Sequence, residues 1–423
     1  MQFLQRLNRV QSHFTWIAPL CAVSSVRSTA SVAFIQRSVA VCCCLWSLSA
    51  VNADGLVQIH DQNQMYEGKV VSLSQVECSL INRQGQLKRL PVRDVKSVKK
   101  ISPRFQPLSA STFRTQLQEE FSSGYEVAGS THYFVCAPTG RAKQYVKLFE
   151  NIYRDVEQFY RVRGFSVAEP EFPLVAIVFR SEAEFARYAT KDKVPFSNGL
   201  LGYYSLLSNR VALFDSPGLV QSKVSFDSND PWSDLKQDKT TTASEGGINQ
   251  DTFAYASAIA GQTANTVIHE TIHQVGYNIG IHSRVGGAPT WVVEGLATAL
   301  EPSGMRKRTG RNLISDRLNG ERSAWFRDVF RKKRPMGFLG GIVASDANFH
   351  RNLLHSYSES WAFTFFLLEN GTRRQDFVEY LQLLAKRDPT KPYSAKQRLA
   401  EFEQAFGDIA RLEVEFIRYM DRM

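Results

Sequence analysis

Two histidines and a glutamate form the most informative short motif of the chain, His269-Glu270-x-x-His273. On a helix, residues four apart are separated by about 40° and one turn, so both imidazoles share a face and can bind one metal ion. Glu270 lies at the edge of that face, where its carboxylate can reach a metal-bound water without being a ligand. This spacing predicts a zinc site with a glutamate as general base.

A zinc site that performs chemistry usually has three protein ligands and leaves one position for water. Glu294 is the best third ligand, because it lies on a second apolar segment, 290 to 300, behind the Gly-Gly-Ala-Pro break at 286 to 289. A turn between two helices can return this carboxylate to the histidine face. Glu301 and His282 compete with it. Glu301 lies about 10 Å further along the second helix, which favours a surface residue or a residue that supports a ligand.

The second segment, Trp291-Val-Val-Glu294-Gly-Leu-Ala297, resembles the gluzincin zinc metallopeptidases, the clan of thermolysin and the aminopeptidase-like enzymes. Their third zinc ligand is a glutamate, often in the pattern Trp-x-x-Glu-Gly-x-Ala. The resemblance covers residues 262 to 301 and is only general in the flanks. It implies that the two histidines and Glu294 hold Zn²⁺. A metzincin does not fit, because its pattern requires a histidine where this chain has Ile279.

The resemblance also implies a donor for the oxyanion of a tetrahedral intermediate. Gluzincins often supply this donor from the C-terminal helical part, and Tyr357 is our choice of a second catalytic residue beside Glu270. His355 and Tyr277 are the alternatives. In the clan, an edge strand before the zinc helix lines the substrate cleft. Residues 209 to 215 are the candidate, with an interior strand as the equally weighted alternative, and they lack the Gly-x-Met-x-Asn-like pattern of aminopeptidases, which favours an endopeptidase.

The first 53 residues contain four arginines and no acidic residue. Val39 to Val51 form an apolar run before a small-residue cleavage site, which is typical of a secretory signal peptide; an organellar transit peptide is the alternative. We therefore expect a secreted or periplasmic protein. The rest of the chain has 47 basic and 41 acidic side chains, a net charge of +6. No later apolar run is long enough to predict an integral membrane segment.

Two cysteines follow residue 53, Cys78 and Cys136, and they could pair in an oxidising compartment or remain separate buried thiols. Eleven Lys or Arg residues lie between Arg306 and Arg334. Few aromatic residues are interleaved with them, so a nucleic-acid partner is not expected. A solvated basic loop near the rim of the active site is the favoured interpretation.

The elements that must position the motif predict an α+β protein in three parts after the signal segment at 1–53. Short strands with Gly turns predict a small, open β-barrel accessory domain at 54–103. Residues 104–302 predict a zincin-like lobe of mixed sheet and helix that ends with the zinc helices. Residues 303–423 predict an all-helical part that completes the cleft. The polar stretch at 217–251 is expected to be a lid or a disordered excursion.

Periodicity and capping signals give the expected bounds of individual elements. The strands are expected at 56–59, 69–71, 76–81, 87–92, 132–135, 174–179, 200–205 and 209–215, and the helices at 142–162, from Ser181 onward, 357–368, 377–386, 394–406 and 409–420.

These patterns together predict a secreted zinc-dependent metallopeptidase that hydrolyses peptide bonds in a peptide or protein substrate. The intact Glu270 supports catalysis, because purely structural zinc sites tend to use four protein ligands. The alternative is a catalytically inactive zincin-fold protein that serves as an extracellular or periplasmic binding scaffold. No pattern in the sequence specifies an oligomeric state.

Overall fold

The structure of the chain is a computed structural model, and it describes residues 54–121, 123–195, 200–214, 254–256, 263–307 and 313–423. The predicted signal peptide at 1–53 and the polar stretch at 217–251 lie outside these residues. The described part is a mixed α/β structure with two sheets toward its N-terminus and helices toward its C-terminus. None of its helices is both long and apolar enough to cross a membrane.

The first sheet has five antiparallel strands: β1 (Leu56–His60), β2 (Met65–Leu73), β3 (Glu77–Ile81), β4 (Leu87–Pro91) and β5 (Ser97–Ser102). Their order is β4-β3-β2-β1-β5, and the outer strands β4 and β5 do not pair with each other. The described residues therefore do not form a closed barrel, because closure requires hydrogen bonds between the two outermost strands. A short 3₁₀ turn, Val92–Asp94, carries the chain between those strands instead.

This first sheet is held against the rest of the molecule by a buried arginine, Arg284, in the loop between the two predicted zinc helices. Its Nη1 donates to the carbonyl of Gly85 at 2.8 Å, and its Nη2 donates to the carbonyl of Leu206 at 2.5 Å. The backbone N–H of Leu87 donates to the carbonyl of Leu207 at 2.7 Å. The first sheet is thereby joined to the loop that connects the two predicted zinc helices.

The second sheet has six strands: β6 (Tyr125–Gly129), β7 (Tyr133–Pro138), β8 (Leu174–Phe179), β9 (Gly202–Ser205), β10 (Arg210–Phe214) and β11 (Ala254–Ala256). Their order is β11-β9-β10-β8-β7-β6. Of the two interpretations of residues 209–215, the interior strand is confirmed and the edge strand is not: β10 pairs in parallel with β8 and antiparallel with β9. The strand next to β9 on the outer side is β11.

Helices cover both faces of the second sheet. They are α1 (Ala110–Glu120), α2 (Ala142–Arg161), α3 (Glu182–Lys191) and α4 (Thr263–Asn278). Successive strand residues point to opposite faces, so Val135 and Ala176 pack with α2 and α4 while Cys136 and Ile177 pack with α1 and α3. The apolar stripe of α2 thereby places α4 over the same face of the sheet.

From the second predicted zinc helix onward, the secondary structure of the described residues is helical. The helices are α5 (Thr290–Leu300), α6 (Ser303–Arg306), α7 (Ile314–Arg317), α8 (Gly320–Ala324), a π-helical turn (Trp325–Phe330), α9 (Phe338–Ala344), α10 (Ala347–Arg351), α11 (Leu353–Glu369), α12 (Gly371–Ala385), α13 (Ala395–Phe406) and α14 (Ile409–Met420). The most extensive packing among them is between α11 and α5.

The described residues of the basic stretch, 306–307 and 313–334, are mostly helical, although its composition predicts a loop. Its described residues form short helices, and several arginines are buried or paired. Arg334 is an example, since it is held by Glu359 and by Glu413, the latter at 2.6 Å. Arg317 pairs with Glu369 at 2.7 Å. The charges of Arg317 and Arg334 are thus balanced within the fold by acidic residues of α11 and α14.

The two described cysteines do not form a disulfide. Cys78 is buried in the core of the first sheet, and Cys136 is buried between the second sheet and α1. Burial raises the pKa of Cys78 to about 11 and that of Cys136 to about 12. Both thiols are therefore protonated at neutral pH and serve as small apolar core residues.

Candidate metal centre

Helix α4 carries the two histidines of the motif. His269 and His273 lie one turn apart on one face, and both are buried, at 3 % and 1 % exposure. The apolar neighbours Val267, Ile272 and Val275 pack into the central core, which fixes the helix against the sheet. The histidine face consequently turns away from the sheet and toward α5.

Helix α5 carries the third residue, Glu294, which is fully buried. Trp291, one turn earlier, packs in an aromatic cluster with Phe363 and Phe402 and is a core residue. Gly295 allows the close approach of α11: a Cβ there would lie 2.2 Å from Oγ1 of Thr364. The Trp-x-x-Glu-Gly pattern therefore combines one anchoring residue, one candidate ligand and one point of helix contact.

The three residues His269, His273 and Glu294 form a buried group that could hold a metal ion, with their donor atoms within 4.8 Å of one another. The two Nε2 atoms are 3.0 Å apart, and Oε2 of Glu294 lies 3.2 Å from Nε2 of His269 and 3.6 Å from that of His273. Tetrahedral zinc with bonds of about 2.0–2.1 Å requires donor separations of about 3.4 Å. Two imidazoles and a carboxylate at these separations fit that ion.

The carboxylate of Glu294 adds a second sign of fit. Both of its oxygens are buried and lack a hydrogen-bond donor of regular geometry within the described residues. The close contacts to the ring nitrogens satisfy the distance for an ion pair but not the alignment of a hydrogen bond. Such converging lone pairs are stabilised when they share a cation.

His269 is oriented from its other ring nitrogen. Its Nδ1 lies 2.8 Å from Oε1 of Glu301, and the second oxygen of Glu301 accepts a hydrogen bond of 2.6 Å from Asn319. A carboxylate at this position accepts a hydrogen bond from Nδ1–H. It thereby favours the tautomer in which Nε2 is the nitrogen that can bind a metal. Glu301 is thus a residue that supports a ligand, which was one of the two expectations for it, and it is absent from the three-residue group.

Glu270 points toward the sheet side of α4. It is fully buried, and its Oε2 accepts a hydrogen bond of 2.9 Å from the backbone N–H of Tyr204 in β9. The negative charge of Glu270 contributes to raising the pKa of both His269 and Tyr357, so the carboxylate lies near both side chains. The interaction with β9 fixes the orientation of Glu270 beside the metal-binding group.

The ionisation states of the group follow from its burial and its internal contacts. Burial, the largest effect, lowers the pKa of His269, but its close contacts with the carboxylates of Glu294 and Glu301 outweigh burial and raise that pKa to about 10. Burial lowers the pKa of His273. Burial opposes ionisation of Glu294, yet the two histidines hold its pKa well below the usual range. The group therefore contains an ionised carboxylate at neutral pH.

Of the three candidate oxyanion donors, Tyr357 lies against the group. Burial raises its pKa well above the ordinary value, Glu294 acts in the same direction, and Arg322 opposes them. Its phenol is therefore protonated at neutral pH and can donate. His355 instead packs on Phe330, with ring centroids 4.6 Å apart.

Tyr277, the third candidate donor, lies beside His282, the competing third ligand. Tyr277 and His282 face each other at the C-terminal end of α4, with ring centroids 5.0 Å apart. His282, the other competing third ligand, is not in the three-residue group. Burial lowers its pKa to about 3, so it is neutral.

Comparison with known proteins gives one matching family model, and the description of that family names no activity. Residues 263–391 match a family model described as a protein of unknown function, DUF1570. No curated protein matches the chain. The matched stretch runs from the first turn of α4 into the C-terminal helices, and it contains the three-residue group, Glu270 and Tyr357. Tyr204, which orients Glu270, precedes it.

Three further residues of the site were not found from the sequence. Asn319 has no motif around it, and its role depends on the turn after α7. Arg306 donates to the carbonyl of Glu301 at 2.5 Å, and Arg322 lies over the ring of Tyr357. Both arginines were counted in the basic stretch, where composition alone could not separate them from surface charges.

Proposed function

We propose that this protein is a zinc-dependent metallopeptidase of the gluzincin type, secreted or periplasmic, that hydrolyses peptide bonds and favours internal ones. The observation that carries the proposal is the buried His269, His273 and Glu294 group with Glu270 beside it on the same helix. A structural site would be expected to use four protein ligands and would not need a base. The resemblance of both helices to gluzincin motifs supports the same assignment.

In this proposal the two histidines and Glu294 hold Zn²⁺, which when bound supplies a Lewis acid for a substrate carbonyl and makes a water acidic. Glu270 takes a proton from the attacking water at a carboxylate oxygen and later returns it to the leaving nitrogen. The backbone N–H of Tyr204 keeps the carboxylate in position for both transfers. Tyr357 donates its phenolic proton in a hydrogen bond to the developing oxyanion.

Metal content tests the site. Elemental analysis of the purified protein should give about one zinc per chain, and Glu294→Ala should lose it because two imidazoles alone bind weakly. Glu150→Gln is a matched control, since Glu150 is also a buried glutamate. It lies on α2, away from the group, and its carboxylate bonds to Ser130 and His132. This variant should keep the metal. Absence of zinc from the wild-type protein would refute the proposal.

Turnover tests the chemistry. Glu270→Gln should retain zinc and lose hydrolysis of a peptide library, because an amide cannot accept the proton. Tyr357→Phe should lower kcat by about 10² or more while leaving zinc content unchanged, since one oxyanion donor is removed. Unchanged hydrolysis in Glu270→Gln would show that Glu270 is not the base. Full zinc occupancy without hydrolysis of any library peptide would favour the inactive binding scaffold.

A further inference from the structure

Arg322 is a buried arginine whose guanidinium has no hydrogen-bond or ion-pair partner in the described part of the chain. It lies on α8 and is 4 % exposed. No hydrogen bond or ion pair joins its guanidinium to any described residue, and its Nε is buried without an acceptor. A buried charge of this kind is strongly unfavourable unless something compensates it.

Other buried arginines of the described structure do have partners. Arg334 pairs with two glutamates, Arg210 donates to Glu120 at 2.8 Å, and Arg284 donates to backbone carbonyls. The fold thus supplies an acceptor where an arginine is structural. Arg322 differs from them because no described residue accepts a hydrogen bond from its guanidinium.

Arg322 lies beside the metal-binding group. Its Cζ is 5.3 Å from the ring centroid of Tyr357, and the Tyr357 phenol responds to the charge of Glu294. Asn319 caps the same helix by accepting from the backbone N–H of Arg322 at 3.1 Å, and it also donates to Glu301. Helix α8 is therefore fixed to the residue that orients His269. The guanidinium is held at one wall of the site by its contact with the tyrosine ring.

We propose that Arg322 recognises a carboxylate of the substrate, either the C-terminal carboxylate of a peptide or an acidic side chain close to the scissile bond. This assignment rests on the proposed peptidase function and names its substrate class. The planar fork of guanidinium N–H groups matches the two oxygens of a carboxylate. A bound carboxylate compensates the buried charge, because it forms an ion pair with the guanidinium of Arg322.

Binding of matched peptides tests the proposal without turnover. The Glu270→Gln protein, loaded with zinc, is titrated calorimetrically with N-acetyl-tetraalanine amide, with the same peptide as its free acid, and with amides that carry Glu at one of the four positions. The same titrations are made with Arg322→Gln added. With Arg322 present, the free acid or one Glu peptide should bind about 10- to 100-fold more tightly than the neutral amide. Arg322→Gln should abolish that preference and leave the neutral amide unaffected.

The pattern of binding separates the two sources of carboxylate and the two proposals. A preference for the free acid alone identifies the C-terminus, and a preference for one Glu position identifies a side-chain pocket. Equal binding of charged and neutral peptides in both proteins refutes the role of Arg322 while zinc occupancy still stands. A carboxylate preference that requires Arg322 in a protein that takes up no zinc would refute the peptidase and keep the recognition site.

Thermal melting provides a second readout that a structural arginine would not share. Arg322→Met should leave the Tm unchanged or raise it, because it removes an uncompensated charge. Arg334→Met is the matched control: its guanidinium is equally buried but paired with Glu359 and Glu413, so its loss should lower the Tm by several degrees. A drop of similar size for both variants would assign Arg322 to the fold and overturn the proposal.

Discussion

Removing the carboxylate behind His269 should weaken metal binding without removing a ligand. Glu301 contacts Nδ1 of His269 at 2.8 Å, and the two side chains are 12 % and 4 % exposed. Glu301→Gln keeps the size of the side chain and an acceptor but removes its charge. Glu301→Ala removes the acceptor and also leaves Asn319 without its 2.6 Å partner.

The expected magnitude follows from the strength of that hydrogen bond. A bond to a charged group contributes about 1.5–3 kcal/mol and a neutral one about 1 kcal/mol. Glu301→Gln should therefore cost about 1–2 kcal/mol of zinc affinity, or roughly 5- to 30-fold. Glu301→Ala should cost about 10- to 100-fold, the range expected when a partner of a ligating histidine is deleted.

Competition with a chromophoric chelator at constant pH measures these affinities. The expected order of zinc affinity is wild type, Glu301→Gln, Glu301→Ala and then Glu294→Ala. Glu369→Gln serves as the control, because Glu369 is similarly half-buried and charged but pairs with Arg317 away from the group. It should bind zinc as tightly as wild type. Equal affinities of Glu301→Ala and wild type would show that the observed contact does not orient His269 for a metal.

Two further predictions concern stability. Gly295→Ala should lower the free energy of unfolding by about 1–3 kcal/mol, because its Cβ would overlap α11. Gly287→Ala is the control and should leave that free energy unchanged, because a Cβ there meets nothing within 4 Å. Unfolding by denaturant measures both variants. His282 has a folded pKa of about 3 against an unfolded value of 6.5, so the unfolded state takes up its proton first and stability is lost as pH falls from about 6.5 toward 3. Between pH 7 and pH 5 this loss is about 2 kcal/mol. His282→Phe should reduce the pH dependence of unfolding by that amount, and an unchanged dependence would contradict a neutral buried imidazole.

Local elements with strong periodicity were predictable from the sequence. The strand at 174–179 and the helix at 409–420 have the predicted bounds, and the helix predicted at 142–162 ends one residue earlier. Ser394 caps its helix with Gln397 in the predicted capping box. These features depend on neighbouring residues alone, which is why spacing and residue type were sufficient.

Features that depend on distant partners were not predictable in the same way. The position of β10 inside the sheet depends on its parallel pairing with β8, and the outer strand β11 is only Ala-Tyr-Ala. Whether β4 and β5 meet is decided by the path of the chain after Val92. The pairing of basic residues such as Arg334 depends on carboxylates from helices far along the chain. Composition describes such charges but not their partners.

The orientation of α4 shows how the two kinds of information combine. Glu270, Gln274 and Asn278 recur every four residues and form a second stripe, about 100° from the histidines. All three bond to the sheet side: Glu270 to the N–H of Tyr204, Gln274 to the carbonyls of Val175 and Asn209, and Asn278 to the side chain of Asn209. Because these bonds fix the rotation of the helix, the histidines can face only α5. The motif therefore specifies which residues could bind a metal, while the polar stripe beside it specifies where they point, and a substitution at Gln274 should disturb the metal group through rotation of the helix without touching a candidate ligand.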